Sequence, residues 1–389
     1  MLQERNFRRK ENTMELINIR ASIQYFDTFG EFAEGFGVCD KDLIFTEKVI
    51  YDNYIKAMGL PCQIMIRDDY ETGEPTEGAT DKMLLDLAKL SVTRIIAIGG
   101  GSVMDTAKAL AIKDCYPLAH LLGKTEPNTY FAELICIPTT CGTGAEISNG
   151  AMFLMENGLK TAIVGPGADY AVLIPQFIEK LPFPIFFLSS MDALSHAIEG
   201  WLYKEGIVNE FGMAMARQAI TTILDCQAEL CLKGADERQN LLRSFLVSST
   251  MGNMALTANG ANMVHAMAYP PAEKFHMSHG ESVYQYLIPV LNLYQKVCPD
   301  EPRFAALREM IQPAIRKAGF EVTDENTFEQ LEKMLNTVYP LRTMSEVGMT
   351  EADIDPFSDN IVETKQRLLT KAFIEVDRDM VAEMYRARL

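Results

Sequence analysis

From residue 42 to residue 98 the chain alternates short apolar runs with longer stretches whose apolar positions recur at helical spacing. The run Asp42-Leu-Ile-Phe-Thr46-Glu47 has strand length and leads into a helical stretch over 48–58. Residues 62–67 (CQIMIR) repeat the strand pattern, 81–89 (DKMLLDLAK) are amphipathic with a helical period, and 94–98 read as a buried strand. This rhythm predicts a parallel sheet covered by helices. Ahead of it, 16–23 alternate enough for an edge strand and 26–36 read as a helix punctuated by glycines. Beyond it, 133–137, 160–164 and 171–174 are three further strands. The proline-bearing segment 180–184 marks a boundary, after which the period changes. Residues 192–203, 210–231, 237–257, 281–296, 302–318, 327–337, 362–371 and 377–388 read as helices, with no strand of comparable quality among them. The expected architecture is an α/β dinucleotide-binding domain with a parallel sheet over 14–184, followed by an all-helical, metal-binding C-terminal domain over 185–389.

Composition narrows the partners. A formal charge of −17 over 389 residues repels nucleic acid and anionic membranes, while leaving room for a small anionic substrate in a locally positive cleft. The longest apolar runs, 95–101 and 182–188, fall far short of the roughly 20 residues that span a bilayer. The first 13 residues are basic and polar without the apolar region of a secretion signal, which suggests a frayed tail and Met14 as a natural start. Eight scattered cysteines with no CxxC spacing read as reduced thiols, so the expected location is cytoplasmic.

Candidate chemistry is concentrated in two places. Asp192 and His196 stand four apart on a predicted helix, hence on one face, and four of the five histidines (His196, His265, His276 and His279) fall within a short span. The clustering suggests a metal held by oxygen and nitrogen ligands; capping and core histidines would give the same pattern. Upstream, the strand at 94–98 runs into Gly99-Gly100-Gly101-Ser102, where a backbone free of Cβ atoms and a helix N-terminus suit a pyrophosphate. Ser102 and Asp105 have the spacing of a helix N-cap and its reciprocal partner, so an ordinary strand-to-helix turn with a capping box fits equally. The next strand empties into Pro138-Thr139-Thr140-Cys141-Gly142-Thr143-Gly144, dense in hydroxyls and placed where strand ends line a ligand crevice.

In this order, GGGSVMDTAKA, PTTCGTGAE, MDALSHAIE, HAMAYP and HMSHGE resemble the linked motifs of the iron-containing (group III) alcohol dehydrogenases, over nearly the whole chain from Met14 onward. The resemblance implies that Asp192, His196, His265 and His279 ligate a divalent metal, with Fe(II) expected and Zn(II) the other candidate. It implies that Gly99, Gly100, Gly101, Ser102 and Asp105 form the pyrophosphate turn, that Thr139, Thr140 and Thr143 line the cofactor, and that Lys160 lies near the nicotinamide ribose. Glu47 falls where relatives carry an acid beside the adenosine ribose; a carboxylate there accepts from a free 2′-hydroxyl and repels a 2′-phosphate, which favours NAD. Many relatives have a histidine four residues after the third ligand, but this chain has Tyr269, so Tyr269 and His276 become the candidates for moving the alcohol proton. Tyr269, SSMDA at 189–193, DYAVL at 169–173, Pro340-Leu-Arg342 and QRLL at 366–369 point, within the family, to members that interconvert 4-hydroxybutyrate and succinate semialdehyde. A homodimer is the expected assembly. The alternatives are a dehydrogenase of uncharged alcohols such as butanol or a diol, a cyclising lyase like dehydroquinate synthase, and a non-catalytic binding protein. The lyase needs a dense set of basic residues that the metal motifs lack, and the binding protein would predict damaged ligands.

Overall fold

The computed structural model describes residues 16–122, 128–204 and 209–389; the expected tail and Met14 lie outside the described residues. Six strands form one parallel sheet, β1 (Ser22–Tyr25), β2 (Asp42–Thr46), β3 (Gln63–Ile66), β4 (Arg94–Gly99), β5 (Glu133–Pro138) and β8 (Tyr170–Leu173), in the order β1-β8-β5-β4-β2-β3. Residues of β2, β4 and β5 are nearly all buried because apolar layers cover both faces. From β2 the chain steps outward to β3, returns to β4 at the centre and then proceeds to β5 and β8 on the other side. The carboxyl ends of β2, β4 and β5 therefore open beside the point where strand order reverses, the usual ligand crevice of such a sheet.

The edge strand begins at Ser22 rather than residue 16, because its register with β8 pairs Ser22 with Tyr170. One strand escaped the sequence pattern: β6 (Gly150–Leu154) pairs antiparallel with β7 (Lys160–Val164) in a separate two-stranded sheet. Asp105 fastens this hairpin to the Gly101–Ala111 helix, its carboxylate accepting from the Met152 amide (3.0 Å) and from Lys108 Nζ (3.1 Å). That engagement replaces the expected capping box. The helix is capped at Gly100 with no side-chain hydrogen bond.

All described residues beyond Gln176 that form regular structure are helical. The helix expected at 192–203 starts about two and a half turns earlier, as Phe183–Trp201, since Pro184 sits in its first turn, where a missing N–H costs nothing. Two helices flank it, Glu210–Lys233 and Leu242–Asn259, the latter separated from a 3-10 turn (Ala235–Asn240) that the sequence pattern merged with it. The Met263–Phe275 helix was not foreseen, because Pro270 and Pro271 lie inside it. Pro271 cannot donate to the Met267 carbonyl one turn back; the buried Tyr385 hydroxyl donates there instead, at 3.0 Å. Cys39, Cys62, Cys136, Cys141, Cys226, Cys231 and Cys298 are free thiols, and no helix among the described residues is long and apolar enough to cross a membrane.

Candidate active site

Three helices meet at the buried end of Asp192. The Phe183–Trp201 helix brings Asp192 and His196 to one face, and His196 Nε2 lies 3.3 Å from Asp192 Oδ1. The Met263–Phe275 helix contributes His265 from its first turn, with Nε2 3.8 Å from the same oxygen. His279 opens the His279–Val297 helix, its Nε2 3.5 Å away and 45% of its side chain exposed. Four atoms about 2.0–2.2 Å from one ion stand roughly 3.0–3.5 Å apart; the His196 and His279 spacings fall in that range and the His265 spacing just beyond it, so the atoms suit a common ion. The donor set makes the same case from its unmet needs: Asp192 Oδ1 and His265 Nε2 are buried without a hydrogen-bond partner.

Electrostatics hold Asp192 charged and His196 neutral, the forms that coordinate a metal. Burial works to raise the Asp192 carboxyl, but the surrounding imidazoles outweigh it and hold the group below its ordinary value. Burial pushes His196 down to about 4, leaving a neutral ring. Burial also opposes charge on His265, yet the Glu199 carboxylate beside it more than offsets this.

Glu199 is a residue that motif reading passed over. Its Oε2 accepts from His265 Nδ1 at 2.5 Å, while Oε1 accepts the Val264 and His265 amides at 2.5 and 3.2 Å. A carboxylate can only accept, so His265 carries its proton on Nδ1 and presents the Nε2 lone pair to the cluster. The same carboxylate occupies the N-terminal turn of the helix, where unpaired amides favour a negative charge. Asn262 completes the junction, its side-chain oxygen accepting the Met263 amide while its amide nitrogen donates to the Glu199 and Leu202 carbonyls. The available signal was position: Glu199 stands three residues after His196, on the same helix face.

The expected cofactor residues gather at the carboxyl ends of the central strands. Gly99 ends β4, Gly100 and Gly101 begin the next helix, and Ser102 lies in its first turn. The Thr139 amide donates to the Gly99 carbonyl at 3.0 Å, linking the two loops. The Thr140 hydroxyl is buried without a partner, a polar atom that a bound ligand would satisfy. Thr143 packs against Gly101, where an added Cβ would stand 3.2 Å from its methyl group. Glu47 follows β2 at the same rim, and burial, then the nearby Asp68, raises its carboxyl while Arg67 opposes the rise. Lys160 reaches towards His279 from β7 and donates to Glu74 Oε1 at 2.7 Å. Asp105, as described, is engaged with the hairpin.

The threonine loop is also seated against the helix that carries Asp192. A Cβ on Gly142 would come within 2.7 Å of the Ser189 carbonyl, and Asn253 Nδ2 donates to the Thr143 carbonyl at 2.6 Å. Cofactor loop and metal helix therefore share one packed boundary. Of the proton-transfer candidates, Tyr269 lies beside the cluster, its ring 6.5 Å from that of His279, and burial raises its hydroxyl so that it keeps its proton. His276 is not brought into the cluster. It is exposed in a left-handed conformation (φ 52°) at the C-terminal end of the Met263–Phe275 helix, where it turns the chain towards Ser278.

A helical layer holding one carboxylate and three imidazoles beside a parallel sheet with a glycine turn defines a metal-dependent dehydrogenase class, and comparison with known proteins agrees. The iron-containing alcohol dehydrogenase profile matches residues 19–175, and that of the Fe-containing alcohol dehydrogenase family's C-terminal region matches 186–389. The 4-hydroxybutyrate dehydrogenase of Clostridium kluyveri is 30% identical over 377 residues, covering 96% of this chain and 99% of its own. Long-chain-alcohol dehydrogenase 1 of Geobacillus thermodenitrificans is 26% identical over 75% of this chain and 74% of its own. Among solved structures, sulfoacetaldehyde reductase from Bifidobacterium kashiwanohense in complex with NAD+ superposes with a TM-score of 0.78 at 21% identity, covering 96% and 98% of the two chains. The chain belongs to the iron-containing alcohol dehydrogenase family.

Proposed function

We propose that this enzyme interconverts 4-hydroxybutyrate and succinate semialdehyde with NAD(H), and that Asp192, His196, His265 and His279 hold its divalent ion, iron(II) being the first candidate and zinc(II) the second. The observation that carries the metal assignment is the convergence of three imidazoles on the unpartnered Asp192 oxygen at 3.3–3.8 Å. The substrate is supported by the full-length likeness to a 4-hydroxybutyrate dehydrogenase. When bound, the ion supplies Lewis acidity at the alcohol oxygen, and the nicotinamide exchanges the hydride.

The protein's own part is positional. Glu199 fixes the His265 tautomer, so the Nε2 of that ring presents a lone pair rather than a proton to the ion. The Gly99–Ser102 turn and the Thr139, Thr140 and Thr143 loop hold the cofactor against the boundary with the metal helix, and Glu47 accepts from the adenosine ribose. Tyr269, protonated and beside His279, is the group placed to pass a proton at its hydroxyl between substrate and solvent.

The test is anaerobic. Metal-reconstituted enzyme and NADH are offered succinate semialdehyde, butyraldehyde and lactaldehyde, and NADH absorbance is followed. A clear kcat/KM preference for succinate semialdehyde supports the reading. A preference for butyraldehyde overturns the substrate, and no reduction with either metal overturns the dehydrogenase assignment.

A further inference from the structure

An enzyme that selects a hydroxy acid must hold a carboxylate at the far end of the chain from the reacting oxygen. In a molecule of net charge −17 several cations of the C-terminal helical region are already neutralised: Lys274 pairs with Asp353, Arg342 with Glu281, Arg378 with Asp355 and Asp359, and Arg386 with Glu351. Lys160, near His279, is taken by Glu74.

Lys365 differs. It is half-buried, follows the Glu351–Thr364 helix, and among the described residues has no carboxylate, hydroxyl or carbonyl partner for its ammonium. Its ammonium instead faces an aromatic ring: Nζ stands 4.9 Å from the centre of the Tyr269 ring. Tyr269 in turn lies 6.5 Å, ring to ring, from the ligand His279. An ammonium has three donors, and a π face engages it from one side only, so hydrogens remain for an anion. Arg367, two residues on in the Gln366–Leu369 turn and also without an ion-pair partner among the described residues, brings a second positive charge to the same segment.

Resting on the 4-hydroxybutyrate reading, we propose that Lys365, seated on the Tyr269 ring and seconded by Arg367, binds the substrate's carboxylate and so sets specificity for ω-hydroxy acids over uncharged alcohols. With carbon–carbon bonds of about 1.5 Å, a four-carbon acid spans roughly 5 Å from its alcohol oxygen to its carboxyl carbon. That length lets the chain run along the Tyr269 ring, with the oxygen at the ligand cluster and the carboxylate at Lys365. Tyr269 thereby has a second task, as the wall that spaces the two ends. Lys160 is the competing cation, but its charge is satisfied by Glu74.

The experiment compares wild type, Lys365→Met, Lys365→Arg and Arg367→Met, all metal-reconstituted and anaerobic. Lys365→Met keeps the aliphatic stem while removing the charge. It is expected to lower kcat/KM for succinate semialdehyde about 10- to 100-fold, as loss of a charge-assisted hydrogen bond does, mainly through KM, with butyraldehyde changed by less than about twofold. Lys365→Arg should recover most of the preference, and Arg367→Met should lose less than Lys365→Met. Succinate, which cannot be reduced, should bind the enzyme–NADH complex more weakly in Lys365→Met when titrated by NADH fluorescence. Equal losses on both aldehydes, or none, overturn the assignment to Lys365 while wild-type preference leaves the substrate reading standing. If wild type shows no preference for succinate semialdehyde, the substrate reading itself fails and this inference falls with it.

Discussion

Glu199 acts on the metal site through His265 rather than by touching the ion, and this makes its contribution separable. Glu199→Gln keeps an oxygen to accept the Val264 and His265 amides but removes the charge that fixes the Nδ1–H tautomer. Loss of such a partner lowers metal affinity about 10- to 100-fold. Chelator competition should therefore register the change, while urea unfolding of the metal-free protein moves little. Glu47 offers the pH counterpart. Its carboxyl is raised by burial, so at neutral pH ionisation costs folding free energy that is absent below the ordinary carboxyl range and grows as pH rises through the raised value. Glu47→Gln should be the more stable protein at pH 7, with the gap closing as pH falls from the raised value to about 4.5, and it should bind NAD more weakly and with less pH dependence. Stability scans from pH 4 to 8 with parallel NAD titrations check both signs. At this scale legibility followed sequence distance. Asp192 and His196 announced themselves because four positions is one helical turn, and Glu199 was within the same window. Lys365 reaches Tyr269 only through tertiary packing, and no local pattern carries that information. His276 misled because a histidine suited to chemistry is also tolerated in the left-handed bend that ends a helix.

At the scale of elements, the strands and the glycine turn were readable because a buried parallel strand is an apolar run of fixed length bounded by turn residues. Boundaries failed where tertiary contacts overrode propensity. The Met263–Phe275 helix is the strongest instance: two consecutive prolines forbid it locally, and a hydroxyl from the Arg378–Arg386 helix repairs it. Tyr385→Phe tests this directly. The Met267 carbonyl would be left without its donor in a fully buried setting, at a cost of about 1–3 kcal/mol. Urea unfolding should show that loss with the slope unchanged; no change would mean the prolines are accommodated otherwise. The β6–β7 hairpin was half missed for the opposite reason, since β6 carries little apolar alternation and is held by Asp105 and Lys108 from the neighbouring helix.

Across the whole molecule, the four proposed ligands do more than prepare chemistry, because they come from three helices that are otherwise joined mainly by packing and by the Glu199 and Asn262 junction. An ion bound only by the folded chain adds RT ln(1 + [M]/Kd) to its stability, about 2.7 kcal/mol when the free metal is a hundred times Kd. Removing it should lower Tm, and restoring either iron or zinc under anaerobic conditions should raise it again. The loosening should be uneven. His279 is half exposed and sits at the first position of its helix, whereas Asp192, His196 and His265 are buried within a continuous apolar core. Hydrogen exchange in the metal-free protein should therefore accelerate first around residues 276–283, with the Phe183–Trp201 helix protected. Because a Cβ on Gly280 would collide with the Leu188 carbonyl, that same turn abuts the helix bearing Asp192. His279→Ala, which leaves this contact intact, should bring the Tm of the metal-treated protein close to that of the metal-free wild type. If His279→Ala instead keeps the full metal-dependent rise in Tm, the ion is not bridging the three helices.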